Sequence, residues 1–183
     1  GHIDSKSLLE IKTHFEKSGF IVSGGQIPLR YRKGMFSEQV DFAGRKLGKP
    51  CLSDKRNRKL IEKSFTDVAK HFDEYILDDH FYLDCYCDLC IQIFNQQYKH
   101  NVTRDSLVKM ILNSEQRANV VSDFVAFREN QLIDCVENLC VKPSRKTNPK
   151  VRMVFKVAEW YERYKIRGID MSNVSRYFDH VCA

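Results

Sequence analysis

Three features are missing from the sequence: long hydrophobic runs, a leader pattern and internal repeats. Nowhere do eighteen consecutive apolar residues occur, which excludes a membrane-spanning helix. The first residues, GHIDSKSLLEI, lack the basic-then-apolar order of a secretory signal. No repeat of fixed period and no low-complexity segment is found. These absences exclude membrane spans and repeat arrays, and we expect no contact with a membrane.

The motifs of several common enzyme classes are also missing. The stretches SGG at 23–25 and AGRKLGK at 43–49 contain glycine and lysine but match no phosphate-loop or dinucleotide fingerprint. No G-x-S-x-G nucleophile motif is present. On this evidence we predict a protein that is not an enzyme and that uses no cofactor.

The composition is that of a folded domain. A chain of 183 residues with 43% hydrophobic and 30% charged residues can bury a sizeable core. Its seven cysteines are odd in number and lack the spacing of a disulfide framework, which favours free thiols in a reducing compartment. We therefore predict an intracellular location, nuclear or cytoplasmic.

Apolar residues recur at helical spacing along most of the chain. Phe65, Phe72 and Ile61 form one such stripe, with charged residues on the opposite face. The fold class predicted is all-α, a bundle of five or six main helices with a small N-terminal helix/hairpin region. We divide it into a basic region over 1–52 and a helical bundle over 53–183, within one compact domain. The predicted helices cover about 5–17, 37–47, 53–77, 80–98, 103–112, 114–139, 150–168 and 172–181.

Glycine and proline mark two predicted breaks between these helices. Gly24 and Gly25 separate two short apolar runs, which predicts a hairpin turn or tight loop. Pro28 restricts the second arm to an edge strand at best. Further on, the stretch VKPSRKTNP at 141–149 is the clearest predicted internal loop.

The segment FYLDCYCDLCIQIF at 81–94 holds three cysteines within six positions. On a helix, Cys87 and Cys90 share one face and Cys85 projects nearly opposite Cys87. A tetrahedral zinc site needs four ligands, and the second pair is missing, because Cys135 and Cys140 are about 140° apart around their helix. We interpret the three thiols as small core hydrophobes. Cys87 and Cys90 are the weak candidates for a metal site, and thiol redox chemistry is the third alternative.

One acidic corner has residue types that metal-dependent phosphohydrolases use. It contains His71, Asp73, Asp78, Asp79 and His80 in the stretch KHFDEYILDDHF. The order is Asp-His rather than His-Asp, and no second histidine pair lies at a suitable separation. We interpret this corner as the solvated end of a helix, with the acidic residues suited to the start of the next one.

Charge is divided unevenly along the chain. Residues 1–60 carry a net charge of +7, residues 61–140 a net −7 and residues 141–183 a net +6. Three basic segments, 30–33, 45–59 and 142–156, mix loops and helix starts, where side chains and amides can meet phosphates. Their candidate binding residues, for nucleic acid or an acidic partner, are Arg30, Arg32, Lys33, Arg45, Lys46, Arg56, Arg58, Arg145, Lys146 and Lys150.

The charge pattern and the missing motifs together favour a binding role. We predict a non-enzymatic helical adaptor domain that engages a protein partner, with self-association into a homodimer as one form of this. The alternative is a domain that binds RNA or DNA through the three basic segments.

Overall fold

The computed structural model of the protein describes residues 5–26, 29–30, 34–77, 82–113, 119–156 and 167–182. These residues form helices and strands in alternation along the chain. The helices are α1 (Ser5–Lys17), α2 (Lys55–Ala69), α3 (Asp88–Tyr98), α4 (Arg104–Leu112), α5 (Asn119–Asp134), α6 (Lys142–Thr147) and α7 (Met171–Val174). The strands are β1 (Gly24–Gln26), β2 (Glu38–Val40), β3 (Lys46–Pro50), β4 (Glu74–Leu77), β5 (Arg152–Lys156) and β6 (His180–Cys182).

Four of the strands form one parallel sheet in the order β1-β4-β5-β6. Tyr75 of β4 lies beside Gly24 of β1 on one side and beside Met153 of β5 on the other. The strands of this sheet therefore follow one another in space in the same order as along the chain. An order without reversal distinguishes the sheet from doubly wound folds and is the order found in β/α barrels.

The main core lies between one face of this sheet and the helices that pack on it. Tyr75 and Leu77 are fully buried, and the residues that alternate with them along β4 are half-buried. The same alternation in β5 buries Met153 and Phe155. Ile61 and other apolar residues of α2 complete the cluster. Because side chains alternate along a strand, each strand gives one face to this core.

A second core lies among α3, α4 and α5. Phe94 and Phe124 are fully buried and meet edge to face, with ring centroids 5.2 Å apart. Leu107 of α4 and Phe127 of α5 pack against them. This aromatic cluster fixes the three helices of the connection between β4 and β5.

The predicted all-α bundle is wrong, because the protein has a mixed α/β fold built on a parallel sheet. The predicted helix over 53–77 is helical only as far as Ala69, and its last residues form β4. The residues predicted to begin a helix at 150 form β5, and the end of the predicted helix over 172–181 lies in β6. Strands of three to five residues, buried by helices, lack the long alternation that distinguishes a strand from a helix in sequence.

The predicted helix over 37–47 is also wrong, because this stretch forms the antiparallel hairpin β2–β3. The side chain of Asp41 accepts hydrogen bonds from the backbone amides of Ala43 and Arg45, at 2.9 and 2.8 Å. A side chain that caps its own turn in this way offers the backbone an alternative to a helix. The hairpin is therefore stabilised locally by the Asp41 side chain, a signal that was overlooked because the apolar spacing also fitted a helix.

Two predicted breaks are not breaks in the structure. Gly24 and Gly25, predicted as a turn, pair with residues 75 and 76 as part of β1, while Pro28 lies outside the described residues. The predicted loop at 141–149 is largely α6, which continues a π-helical stretch, Cys135–Val141, at the end of α5. Pro143 lies at the start of α6, where the π-helical stretch changes to an α-helix.

Helices with complete local signals were predicted correctly. α1 begins and ends where its periodicity and Gly19 indicate. α4 begins at the predicted cap, Thr103, whose side chain accepts from the amide of Ser106 while the hydroxyl of Ser106 accepts from the amide of Thr103. This reciprocal capping box is specified within four consecutive residues and needs no tertiary partner.

The described part of the chain also bears on the predicted organisation. β1, from the region predicted as 1–52, pairs with β4, from the region predicted as 53–183. The division at residue 53 stays a prediction. Among the described helices, none has the length and apolar character that crossing a bilayer requires.

Candidate functional site

The carboxyl ends of the four parallel strands lie along one edge of the sheet. The strands end there at Gln26, Leu77, Lys156 and Cys182. In α/β proteins with this topology, the loops that leave this edge carry the binding and catalytic groups. This carboxyl edge is therefore the candidate site.

Acidic residues follow two of these strand ends in the sequence. Asp78 and Asp79 come directly after the last residue of β4, and Glu159 is the third residue after β5. All three lie outside the described residues, so they are placed by chain connectivity alone. Carboxylates are the acid, base and nucleophile of many hydrolases, and two neighbouring strands each lead into such a residue.

The opposite edge of the sheet is closed by internal contacts. Glu74, at the start of β4, pairs with Arg152 at 2.9 Å and accepts a hydrogen bond from the hydroxyl of Ser23 at 2.5 Å. Asp179, which precedes β6, accepts from the amide of Met153 at 2.7 Å and pairs with Arg145 at 3.2 Å. These carboxylates hold the sheet together, which matches the stabilising role of the amino end in such folds.

Strand β4 separates the residues of the predicted acidic corner. Asp73 precedes the strand and its carboxylate accepts a hydrogen bond from Asn148 at 2.9 Å, whereas Asp78 follows the strand in sequence. Four residues of strand span about 13 Å. The residues between Asp73 and Asp78 thus form β4 rather than the end of a helix, and Asp78, Asp79 and His80 lie outside the described residues.

The segment after β4 is tied to the segment after β5. The amide of Leu83 donates to the carbonyl of Arg167 at 3.0 Å, and the guanidinium of Arg167 pairs with Asp84 at 3.5 Å. The Tyr82 ring lies 4.7 Å from this guanidinium and 3.7 Å from the ammonium of Lys49. Such cation–aromatic contacts stabilise a half-buried tyrosine and hold both segments in place.

Four cysteines lie close together in and around the segment after β4. The sulfurs of Cys51, Cys85, Cys87 and Cys90 all lie within 4.8 Å of one another. The sulfur of Cys51 is 3.5 Å from that of Cys90, 3.6 Å from that of Cys87 and 3.9 Å from that of Cys85. Soft thiolate ligands in this number are the donor set of zinc or mononuclear iron sites.

Hydrogen bonds among these sulfurs perturb the thiols unequally. The hydrogen bonds from Cys51 and its neighbours lower the pKa of the Cys87 thiol. The hydrogen bond with Cys85, together with burial, raises the pKa of the Cys51 thiol. The lowered pKa favours the ionised form of Cys87, which is the one half-exposed member of the group.

Local structure explains why helical periodicity misplaced these cysteines. Residues 82–87 form neither helix nor strand, and α3 begins only at Asp88. The amide of Tyr86 donates to the carbonyl of Val40 in the hairpin at 2.6 Å. The sulfurs of Cys85 and Cys87 lie within 4.8 Å of each other, so the interpretation that Cys85 projects away from Cys87 was wrong. Cys51, 34 residues earlier, carried no spacing signal.

The predicted basic binding residues lie on several elements. Arg30 lies between β1 and β2, Arg45 precedes β3 and Lys46 lies in it. The other described members lie at the start of α2, in α6 or just before β5. Arg30, Lys46, Lys146 and Lys150 are exposed, and Arg32 and Lys33 lie outside the described residues. The four remaining arginines each pair with an aspartate: Arg45 with Asp41 at 2.8 Å, Arg56 with Asp54 at 2.8 Å, Arg58 with Asp134 at 2.5 Å and Arg145 with Asp179 at 3.2 Å.

Comparison with known proteins identifies the family. A family described as "Probable glycosyl hydrolase, catalytic domain" matches residues 1–183, the whole chain. The chain belongs to this family. The predictions of a non-enzymatic adaptor and of a nucleic-acid-binding domain are therefore wrong. The assignment of the ten basic residues to a binding surface stays a prediction.

Two individual relatives extend the comparison. The uncharacterized protein SSO3021 of Saccharolobus solfataricus is 30% identical over 180 residues, which are 98% of this chain and 29% of that protein. The PgaB (BpsB) glycoside hydrolase domain from Bordetella bronchiseptica has a similar structure, with a TM-score of 0.67 and 14% identity. That similarity, which concerns the fold, covers 96% of this chain and 53% of the other. The chain thus spans less than a third of one relative and about half of the other.

Sequence reasoning missed the family because its signal is topological. The catalytic carboxylates of glycoside hydrolases are single residues at strand ends, without a local motif comparable to a phosphate loop. Asp78 and Asp79 were noticed, but without β4 they had no strand end to follow. Recognising the EYIL run at 74–77 as a strand was the one available signal.

Proposed function

We propose that this chain supplies part of the catalytic site of a glycoside hydrolase, at the carboxyl edge of its parallel sheet. The observation that carries the proposal is the sheet itself, with four parallel strands in unreversed order in a chain that belongs to a glycosyl hydrolase family. Folds of this topology place their reactive groups on the loops after the strands. The paired carboxylates at the other edge support the same assignment, because they are engaged in holding the sheet.

The proposed reactive groups are Asp78, Asp79 and Glu159. Hydrolysis of a glycosidic bond uses two carboxyl groups, one that protonates the leaving oxygen and one that activates water or attacks the sugar. Asp78 and Asp79 follow β4 and Glu159 follows β5 in the sequence, and β4 and β5 are neighbours in the sheet. Two neighbouring strands are therefore each followed in the sequence by carboxylate residues.

Asp84 is assigned a supporting role. Its carboxylate pairs with Arg167 at 3.5 Å, and the backbone of Leu83 is bonded to the same residue. Asp84 therefore joins the segment that begins at Tyr82 to Arg167, and we assign the proton transfers to the residues that follow the strands in the sequence.

The test measures glycosidic cleavage by the purified protein and its variants. Release of reducing ends is followed on a panel of polysaccharides built from neutral, acidic and amino sugars. We expect one class to be cleaved, and we expect at least two of the variants Asp78→Asn, Asp79→Asn and Glu159→Gln to lose about 100-fold or more in kcat, the usual cost of removing an acid or base.

The matched control is Asp73→Asn, which changes an exposed aspartate at the opposite edge of the same strand. It should retain activity within about threefold, because surface substitutions rarely disturb a distant site. Cleavage of no polymer in the panel would overturn the proposal. So would full activity in all three variants at the carboxyl edge.

A further inference from the structure

We propose that Cys51, Cys85, Cys87 and Cys90 form a structural site for one zinc ion. The site draws its ligands from three segments. These are the residue directly after β3, the segment 82–87 and the first turn of α3. Four protein ligands leave no open position for a substrate, which is the arrangement of structural rather than catalytic zinc.

The distances between the sulfurs match those of a single tetrahedral ion. Zinc–sulfur bonds of about 2.3 Å at tetrahedral angles place the sulfurs about 3.8 Å from one another. The three sulfur–sulfur distances from Cys51 are 3.5, 3.6 and 3.9 Å, and all four sulfurs lie within 4.8 Å of one another. The ligand set therefore already surrounds a point at which one ion fits.

The same distances disfavour the other uses of cysteine. A disulfide needs sulfurs about 2.0 Å apart, and all four cysteines are free thiols. An iron–sulfur cluster holds its cysteine ligands around several metal and sulfide atoms, which four sulfurs this close to one another leave no room for. One ion with four thiolate ligands is the remaining arrangement.

Ordinary core packing does not account for the group either. Cys51, Cys85, Cys90 and the half-buried Cys87 form a cluster composed of cysteine alone. Cys135 and Cys140 differ, because they lie within the main core among leucine and valine side chains. Those two behave as the small hydrophobes that the sequence suggested. Four sulfurs that meet at one point without aliphatic neighbours in their cluster indicate ligands.

The start of α3 provides an independent indication. Its N-cap residue is Cys87, and the Cys87 side chain makes no capping hydrogen bond. The residues that stabilise this position are serine, threonine, aspartate and asparagine. Cys87 makes no capping hydrogen bond, and its sulfur lies instead beside three other sulfurs. Ligation of a cation explains why a cysteine occupies this position.

Polar groups around the sulfurs fit the charge of such a site. Zinc with four thiolates carries two net negative charges. The buried guanidinium of Arg128, 1% exposed, donates to the carbonyl of Cys85 at 3.0 Å and brings a positive charge beside the ligands. Gln131 donates to the hydroxyl of Ser53 at 2.8 Å, which leaves that hydroxyl to donate to the sulfur of Cys90 at 3.1 Å. Such outer partners orient ligands and stabilise their charge.

The metal would hold the β2–β3 hairpin against the segment that leads from β4 to α3. Cys51 and Cys85 are separated by 33 residues, so one ion closes a long loop. Binding energy of this kind is folding energy, because the unfolded chain does not preserve the site.

The first test is the metal content of the purified protein, measured by inductively coupled plasma mass spectrometry after exchange into metal-free buffer. We expect about one zinc per chain, as structural sites of this type retain their metal. Cys51→Ser and Cys87→Ser should each retain less than about a fifth of it. Cys182→Ser, which removes an exposed cysteine outside the group, should retain all of it.

A second measurement uses the unmodified protein and therefore tests the proposal even if the serine variants fail to fold. The unmodified protein is reconstituted with Co²⁺, and absorption spectra are recorded with a thermal melt in the presence and absence of a chelator. We expect the intense visible bands of tetrahedral cobalt–thiolate coordination and a melting temperature lowered by the chelator. A folded protein with less than about a tenth of an equivalent of metal after reconstitution, or with a melting temperature that the chelator leaves unchanged, would overturn the proposal. Neither result depends on glycosidic activity, so failure of this site is distinguishable from failure of the proposed function.

Discussion

At the scale of single residues, aspartates at turns and helix starts determine much of the local structure. Asp54 is the N-cap of α2 and is 6% exposed. Its carboxylate accepts from the side chain of Arg56 at 2.8 and 3.1 Å, from the amide of Arg56 at 2.9 Å and from the hydroxyl of Ser37 at 3.0 Å. The Arg56 side chain and these further donors lower the pKa of Asp54 to about 2. The helix start is therefore tied to the hairpin by one ionised group.

This bond pattern predicts an acid-dependent loss of stability. Because the pKa of Asp54 is lower in the folded protein, its ionised form stabilises the fold above the unfolded pKa of about 4. That contribution is lost as the pH falls from about 4 to about 2. Asp54→Asn should lower the free energy of unfolding at pH 7 by about 1 kcal/mol, since Arg56 is largely exposed and the pair is screened. Urea unfolding of both proteins between pH 2 and pH 7 measures the difference.

The control for this prediction is Asp105→Asn. Asp105 lies in the first turn of α4 with a side chain 82% exposed. Its replacement should change the free energy of unfolding by less than about 0.5 kcal/mol. A difference between the Asp54 variant and the unmodified protein that persists undiminished at pH 2 would contradict the assigned cause.

At the scale of elements, β1 shows how a pair of glycines can serve a strand instead of a turn. A Cβ atom at Gly24 would lie 3.1 Å from the ring of Phe72 and 3.3 Å from the Cβ of Tyr75. A Cβ at Gly25 would meet nothing within 4 Å. The absence of a side chain at position 24 lets β1 approach β4 and the core residue Phe72 closely.

The two glycines therefore predict opposite outcomes for the same substitution. Gly24→Ala should destabilise the protein by about 1–3 kcal/mol, the usual cost of overpacking. Gly25→Ala should be neutral or slightly stabilising, because alanine has fewer unfolded conformations and the site is open. Thermal or urea unfolding of the two variants side by side compares them. Equal destabilisation by both would show that β1 does not pack as described.

Prediction succeeded for elements whose signals are complete within a few residues. α4 has its capping box in the sequence, and α1 has its periodicity and its terminal glycine. β4 and β5 have only four and five residues and gain their hydrogen bonds from strands far away in sequence. Their side chains are compatible with a helix, so only the partner strands decide between the two structures.

At the scale of the whole molecule, strand order sets which elements are most protected. β4 and β5 each have a neighbour on both sides, whereas β1 and β6 lie at the edges of the described sheet. All three residues of β6 are exposed, whereas Tyr75 and Leu77 of β4 are fully buried. Local opening of an edge strand costs less than opening of a central one.

Hydrogen exchange followed by mass spectrometry tests this arrangement. Peptides that cover residues 74–77 and 152–156 should exchange at least about 100-fold more slowly than peptides that cover 180–182. The capped helix α4 provides an internal reference of regular secondary structure outside the sheet. Equally slow exchange in 180–182 and 74–77 would contradict the placement of β4 inside the sheet and of β6 at its edge.

The candidate sites were only partly within reach of the sequence. The sequence showed Asp78 and Asp79 as part of an acidic cluster, but it did not show that they directly follow a strand. Cys87 and Cys90 were recognised as a pair with ligand spacing. Their partners, Cys51 and Cys85, are identified only by the structure, in which the segment 82–87 is hydrogen-bonded to the hairpin. In both cases the sequence showed the residue types, but it did not show which distant residues or strands lie beside them in space.

The sequence by itself determined the helices with local caps and the supply of thiols and carboxylates. Tertiary structure decided which short apolar runs are strands, in what order they pair, and which cysteines meet. The physical reason is that helix signals arise from hydrogen bonds and side-chain contacts within four residues. Parallel pairing and metal-ligand geometry join residues tens of positions apart, and no local pattern records which distant segment will be the partner.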